Sequence, residues 1–114
     1  MITVYGIKNC DTVKKALQWL AANHLAHRLH DYRTDGLTRD WLIDAERRFG
    51  WQNLLNKRST TWRNLDQEAK KTLSKQTALE LLLAQPTLIK RPIIMQDEIA
   101  LIGFNEQDYA AALK

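Results

Sequence analysis

Thr3-Val4-Tyr5-Gly6-Ile7-Lys8-Asn9-Cys10-Asp11-Thr12-Val13 is the stretch on which the fold turns. Its first three residues are β-prone and read as a short strand. Gly6 to Cys10 reads as a loop. From Val13 the apolar positions fall at Val13, Ala16, Leu17, Leu20 and Ala21, which is helical spacing. The pattern predicts a helix that Asp11 or Thr12 caps and that ends near Asn23. Ala26 to Tyr32 then predicts a second strand. Two strands joined through a helix make a βαβ unit, so they are expected to run parallel.

Beyond the turn at Thr34-Asp35-Gly36 the pattern becomes helical. Thr38 is placed to cap a helix with Trp41, Leu42, Ala45 and Phe49 on one face, and Gly50 to stop it. Trp51 to Leu55 predicts a short helical piece, and Asn56 to Asn64 an irregular segment. Further helices are expected from Leu65 to about Leu73 and from Gln76 to Ala84, the last ended by Pro86. The second half of Leu88–Met95 and Ile99–Ile102 predict a hairpin through Gln96-Asp97-Glu98. After Gly103, Asn105 caps a final helix whose Tyr109, Ala112 and Leu113 are expected to pack inward. The order is β-α-β, a helical insertion at about 36–84, then β-β-α. It predicts a single α/β domain over 1–114 with the insertion on one layer.

A chain of 114 residues fits one domain and can bury a core without disulfides or metals. Its composition, 45% hydrophobic and 26% charged, is that of a soluble globular protein. The single cysteine rules out an internal disulfide and a cysteine-rich zinc site, and it suits a reducing compartment. Met1 to Tyr5 does not read as a signal peptide, and the apolar runs are too short for a membrane span. A cytoplasmic protein is therefore expected, with no membrane partner. The 17 basic against 13 acidic residues are a mild excess spread along the chain. That balance suits a small anionic ligand, and nucleic acid is not expected. Small size and the lack of a coiled-coil pattern favour a monomer.

Three features carry chemistry. Cys10 immediately precedes the predicted first helix, where backbone N–H groups and the helix dipole favour a thiolate. Lys8, Lys14 and Lys15 add positive potential, and Asp11 opposes it. A buried structural cysteine is the competing reading, weakened by polar Asn9 and Asp11 on either side. Arg91-Pro92 comes second. Such a bond is sometimes cis, and its arginine can hold an oxyanion or carboxylate by two hydrogen bonds. The competing reading is a surface arginine before an edge-strand proline. Third, Asn56-Lys57-Arg58-Ser59-Thr60-Thr61-Trp62-Arg63 joins cations, hydroxyls and an indole, as an anion- or peptide-binding loop or as a solvated connection. His24, His27 and His30 do not share strand spacing, so no metal set is expected. His30-Asp31 reads as packing and hydrogen bonding. Trp19 and Trp41 sit at helical core spacing.

Together these segments resemble the arsenate reductase/Spx family (ArsC-like), and within it the YffB-like branch. The resemblance is carried by Tyr5 to Thr12, His30-Asp31-Tyr32, Gly50-Trp51, Leu54-Leu55-Asn56, Thr60 to Arg63, Ile89 to Ile93 and Gly103-Phe104. It implies a thioredoxin-like fold, with a mixed four-stranded sheet and a helical insertion. It implies that Cys10 is the nucleophile, that Pro92 is cis and that Arg91 helps bind the anion. Lys8, Asn9, Asn56, Arg58, Arg63 and Pro92 are the candidate contacts to substrate or glutathione. No tightly bound cofactor is implied. The branch implies a glutathione-dependent thiol reductase acting on an oxidised or anionic substrate, with glutathione as co-substrate. Two relatives of that branch are alternatives. Arsenate reductases of this type use further arginines, where this chain has Asn56 and, at one position, about Gly103. Spx-type regulators dock on RNA polymerase and often carry a Cys-x-x-Cys switch, whose second position here is Val13.

Overall fold

A computed structural model describes residues 1–114. In chain order the elements are β1 (Ile2–Gly6), α1 (Asp11–Ala22), β2 (His27–Asp31), α2 (Arg39–Phe49), α3 (Trp51–Leu54), α4 (Thr60–Arg63), α5 (Gln67–Lys71) and α6 (Lys75–Ala84), followed by a 3-10 turn at Pro86–Leu88, then β3 (Ile93–Gln96), β4 (Ile99–Ile102) and α7 (Glu106–Leu113). They fall into two units. One joins Met1–Gly36 to Arg91–Lys114, and the other is Leu37–Lys90.

The first unit holds a four-stranded sheet in the order β2-β1-β3-β4. β1 and β2 are parallel, from Ile2 opposite His27 to Gly6 opposite Asp31. β3 runs antiparallel to β1, with Tyr5 opposite Ile93, and to β4, from Ile93 opposite Ile102 to Gln96 opposite Ile99. The sheet is thus mixed. The helical spacing of α1 explains what it buries: Val13, Ala16 and Leu20 have no exposed surface. Ala16 and Leu20 form one core with Val4 of β1, Ile94 of β3 and Tyr109 of α7. Burial of a side chain such as Leu20 contributes about 1.5–3 kcal/mol. The Tyr109 ring meets Trp19 edge-on at 5.7 Å and Phe104 edge-on at 5.0 Å. Its hydroxyl donates to the Gly103 carbonyl at 2.7 Å, so the one polar atom of this buried ring is satisfied. Ala112, expected to pack inward, is exposed instead; Tyr109 and Leu113 carry the inner face of α7. A methyl group has too little surface to decide which way a short helix turns.

The Leu37–Lys90 unit packs Leu42 and Ala45 of α2, Leu54 of α3, and Ala78 and Leu82 of α6, all buried. Thr38 accepts from the Trp41 N–H at 3.1 Å, as its place before α2 predicts. Gly50, at φ 82°, ends α2 and starts α3 in a conformation costly for other residues. Leu55 bridges Ile89, and the Asn56 and Lys90 N–H groups donate to Leu88 and Leu54 across the same junction at 2.7 Å. Asn56–Asn64, expected to be irregular, contains one helical turn, α4. Ser59 caps it by accepting from the Trp62 N–H at 3.1 Å. One turn is too short to leave an apolar period in the sequence. No helix is long and apolar enough to cross a membrane.

Candidate functional site

Cys10 itself, not Asp11 or Thr12, is the N-cap of α1. Its backbone is extended and its side chain makes no capping bond. The Lys14 N–H donates to the Cys10 carbonyl at 3.0 Å, closing the first turn. The N–H groups ahead of Lys14 have no partner inside the helix, and they point toward the end where the sulfur sits. Cys10 is half-buried, so the structural reading of a sealed thiol does not hold. Asp11 is the first helical residue and is exposed, as are Lys8, Asn9, Lys14 and Lys15.

Gly6 fixes how the cysteine loop leaves the sheet. A Cβ on Gly6 would lie 2.8 Å from Val13 Cγ2 and 3.7 Å from Arg91 Cβ. The end of β1, the first turn of α1 and Arg91 therefore meet around a residue without a side chain. Val13 is β-branched and fully buried, so it cannot swing away. Gly6→Ala is expected to lower stability by about 1–2 kcal/mol through this overlap. It is also expected to slow alkylation of Cys10 at neutral pH, measured alongside a urea unfolding curve.

The Arg91–Pro92 peptide is cis and enters β3 one residue before Ile93, the partner of Tyr5. Pro92 is buried, and its carbonyl accepts from the Gly103 N–H at 2.8 Å. Arg91 is half-buried beside the end of β1. Its charge also reaches Tyr32: burial pushes the Tyr32 hydroxyl far above the usual phenol range, against the pull of the Arg91 guanidinium. A positive charge thus stands in the corner where β1 passes into the cysteine loop.

Asp31, at the end of β2, holds that loop from the other side. One carboxylate oxygen accepts from the Lys8 N–H at 2.9 Å and the other from the Arg33 N–H at 2.7 Å. The Asp31 N–H donates to the Asp35 carboxylate at 2.9 Å. The Tyr32 N–H donates to the Gly6 carbonyl at 2.8 Å, extending the β1–β2 pairing by one bond. Burial alone would push the Asp31 carboxyl up. The N–H groups of Lys8, Arg33 and Thr34, with the Arg33 charge, outweigh it and hold the group below the usual carboxylate range. Packing and hydrogen bonding, expected for His30-Asp31, is right in kind. The expectation did not extend to the partner, which is the backbone two residues before the thiol. His30 stacks at a tilt on Tyr5, 5.1 Å between centroids, and its Nε2 lies 2.8 Å from the Gly36 carbonyl.

Cys10, Lys8, Asn9, Arg91 and Pro92 all belong to the sheet-bearing unit. Asn56, Arg58 and Arg63 belong to Leu37–Lys90. The Asn56 carboxamide oxygen accepts from the Arg58 N–H at 3.1 Å, a local turn, while Arg58 and Arg63 are exposed.

Comparison with known proteins adds to this geometry. A model of the ArsC family matches residues 5–112. An uncharacterized protein of Haemophilus influenzae is 67% identical over 112 residues, covering 98% of each chain. The global transcriptional regulator Spx of Streptococcus pyogenes is 30% identical over 115 residues, covering 99% of this chain and 85% of that one. The solved structure of a YFFB protein superimposes with a TM-score of 0.94 at 44% identity, covering 100% of both chains.

Proposed function

Because the chain belongs to the ArsC family and has its thioredoxin-like fold, we propose that it is a monothiol reductase that draws its reducing equivalents from glutathione. Cys10 carries this reading: an accessible thiol at the N-cap of a 12-residue helix, with no side-chain cap of its own. Its thiolate attacks the glutathione sulfur of a mixed disulfide. The Cys10–glutathione disulfide forms, and the substrate leaves as a thiolate that takes up a proton. A second glutathione gives up its proton and attacks the intermediate, releasing glutathione disulfide and restoring the Cys10 thiolate. One glutathione thiol is consumed, the substrate sulfur is reduced to a thiol, and the glutathione of the mixed disulfide leaves as half of the glutathione disulfide. The chain has no other cysteine, so the resolving thiol comes from outside. Arg91 supplies positive charge for a glutathione carboxylate, and the exposed Lys8 and Asn9 flank the approach. This chemistry suits a monomer in a reducing cytoplasm.

Incubation with glutathione disulfide followed by mass spectrometry tests the reading. A glutathione adduct is expected on Cys10, removed by free glutathione, with turnover of a model mixed disulfide. A Cys10 that a small alkylating agent modifies but that takes no adduct would sink it. Arsenate is the weaker substrate candidate, since Asn56 and Gly103 stand where arginines are expected. The similarity to Spx favours a second reading, docking on a protein such as RNA polymerase. A partner retained equally by wild type and Cys10→Ser in a pull-down would favour docking over catalysis.

A further inference from the structure

The Leu37–Lys90 unit holds an open cavity of about 250 Å³ that the thiol chemistry does not use. Its walls include Trp51, Leu55, Lys57, Trp62, Lys70 and Leu73. Lys57 Nζ stands 5.9 Å from the centre of the Trp62 ring and Lys70 Nζ 5.3 Å from it. The two lysines come from separate segments, one from the turn after Leu55 and the other from α5. Neither takes part in the ion pairs of this unit, which join Arg39 to Glu80, Arg47 and Arg48 to Asp44, and Lys75 to Glu46. Each ammonium is attracted to that indole, and two like charges gathered at one ring repel each other. An anion that meets both relieves that repulsion, and the indoles and leucines supply apolar surface beside it. The volume lies just below the usual span of ligand sites, roughly 300–1,000 Å³. It suits a body of one or two rings.

We propose that this cavity binds a small aromatic carboxylate, its carboxylate between Lys57 and Lys70 and its ring against Trp62 and Trp51. The site narrows the basic segment Asn56–Arg63: Lys57 and Trp62 take part, and Arg58 and Arg63 do not line it. Lys70 completes it from a helix that no sequence pattern joins to that segment.

The test uses the full chain labelled with nitrogen-15 and follows the four indole N–H resonances in a titration. The probes are 2-naphthoate and its uncharged counterpart 2-naphthylmethanol. With naphthoate, the Trp51 and Trp62 resonances are expected to shift and saturate below about 1 mM, while Trp19 and Trp41 stay in place. Naphthylmethanol is expected to bind at least about 10-fold more weakly, and added salt to narrow that gap. The double variant Lys57→Gln/Lys70→Gln is expected to weaken naphthoate by about 10-fold or more. The charge-matched control Lys71→Gln/Lys114→Gln, at two exposed positions, is expected to leave it unchanged. Equal affinity for the two probes on the wild-type protein, shifts spread over all four indoles, or no saturation by about 5 mM would each overturn the proposal. None of these outcomes bears on Cys10, so the two readings stand or fall separately.

Discussion

Cys10→Ser is expected to lose glutathione-dependent turnover by about 1,000-fold or more while gaining stability. The two halves of this expectation have one structural cause. Cys10 occupies the N-cap of α1, and its side chain satisfies none of the helix's free N–H groups. Serine is among the preferred residues there because its oxygen accepts from the second or third helical N–H, here Thr12 or Val13. The substituted hydroxyl would add a bond that sulfur makes poorly, for a gain of about 0.5–1 kcal/mol. The same hydroxyl is not ionised at neutral pH and cannot form the mixed disulfide. A urea midpoint that rises as activity vanishes would mark Cys10 as a residue kept for reactivity at some cost to the helix. A falling midpoint would make the thiol a packing element, and the proposed chemistry would lose its main support.

What could be read in advance follows the range of the interactions involved. The strands, α1, α2 and α6 were legible because each writes a period into its own few residues. The β3–β4 hairpin was legible from two apolar runs around a short turn. α4 was not, because its single turn is fixed by one Ser59 hydroxyl. Cys10 was visible as a site because a lone thiol before a helix has a local physical meaning. Its placement as the cap was missed, since Asp11 and Thr12 are better capping residues and sequence preference names them first. The supports of the loop were out of reach for a different reason. Gly6 matters through its approach to Val13 and Arg91, and Asp31 through a backbone N–H 23 positions away. Neither relation has a sequence period; both arise when β1, β2 and β3 come side by side.

Asp31 therefore carries the larger structural prediction. Asp31→Ala leaves the Lys8 and Arg33 N–H groups without the carboxylate that now accepts from both. Each lost acceptor costs about 1–3 kcal/mol where water cannot replace it. Lys8 and Arg33 are exposed, so water takes over part of both bonds, and the combined loss is expected at the low end of that sum, about 2–3 kcal/mol. Asp31→Asn keeps the shape but offers one accepting oxygen in place of two, and should fall between. Acid distinguishes a carboxylate clamp from mere packing. The folded Asp31 carboxyl lies below its ordinary 3.8, so the fold favours the ionised form. That contribution is fully present above the unfolded value and is lost as pH falls through the folded one. The gap between wild type and Asp31→Asn in urea midpoint is thus expected at pH 7 and should narrow as pH falls below the unfolded 3.8. A gap that stays constant over this range would mean that the charge is not what holds the loop. The loop is also the support of the nucleophile, two residues beyond Lys8. Freed from Asp31, it samples positions in which Cys10 is no longer held at the N-cap of α1, and turnover is expected to fall about 10-fold. Faster hydrogen exchange at the Lys8 amide, alongside that loss, would tie the rate to the clamp rather than to global unfolding.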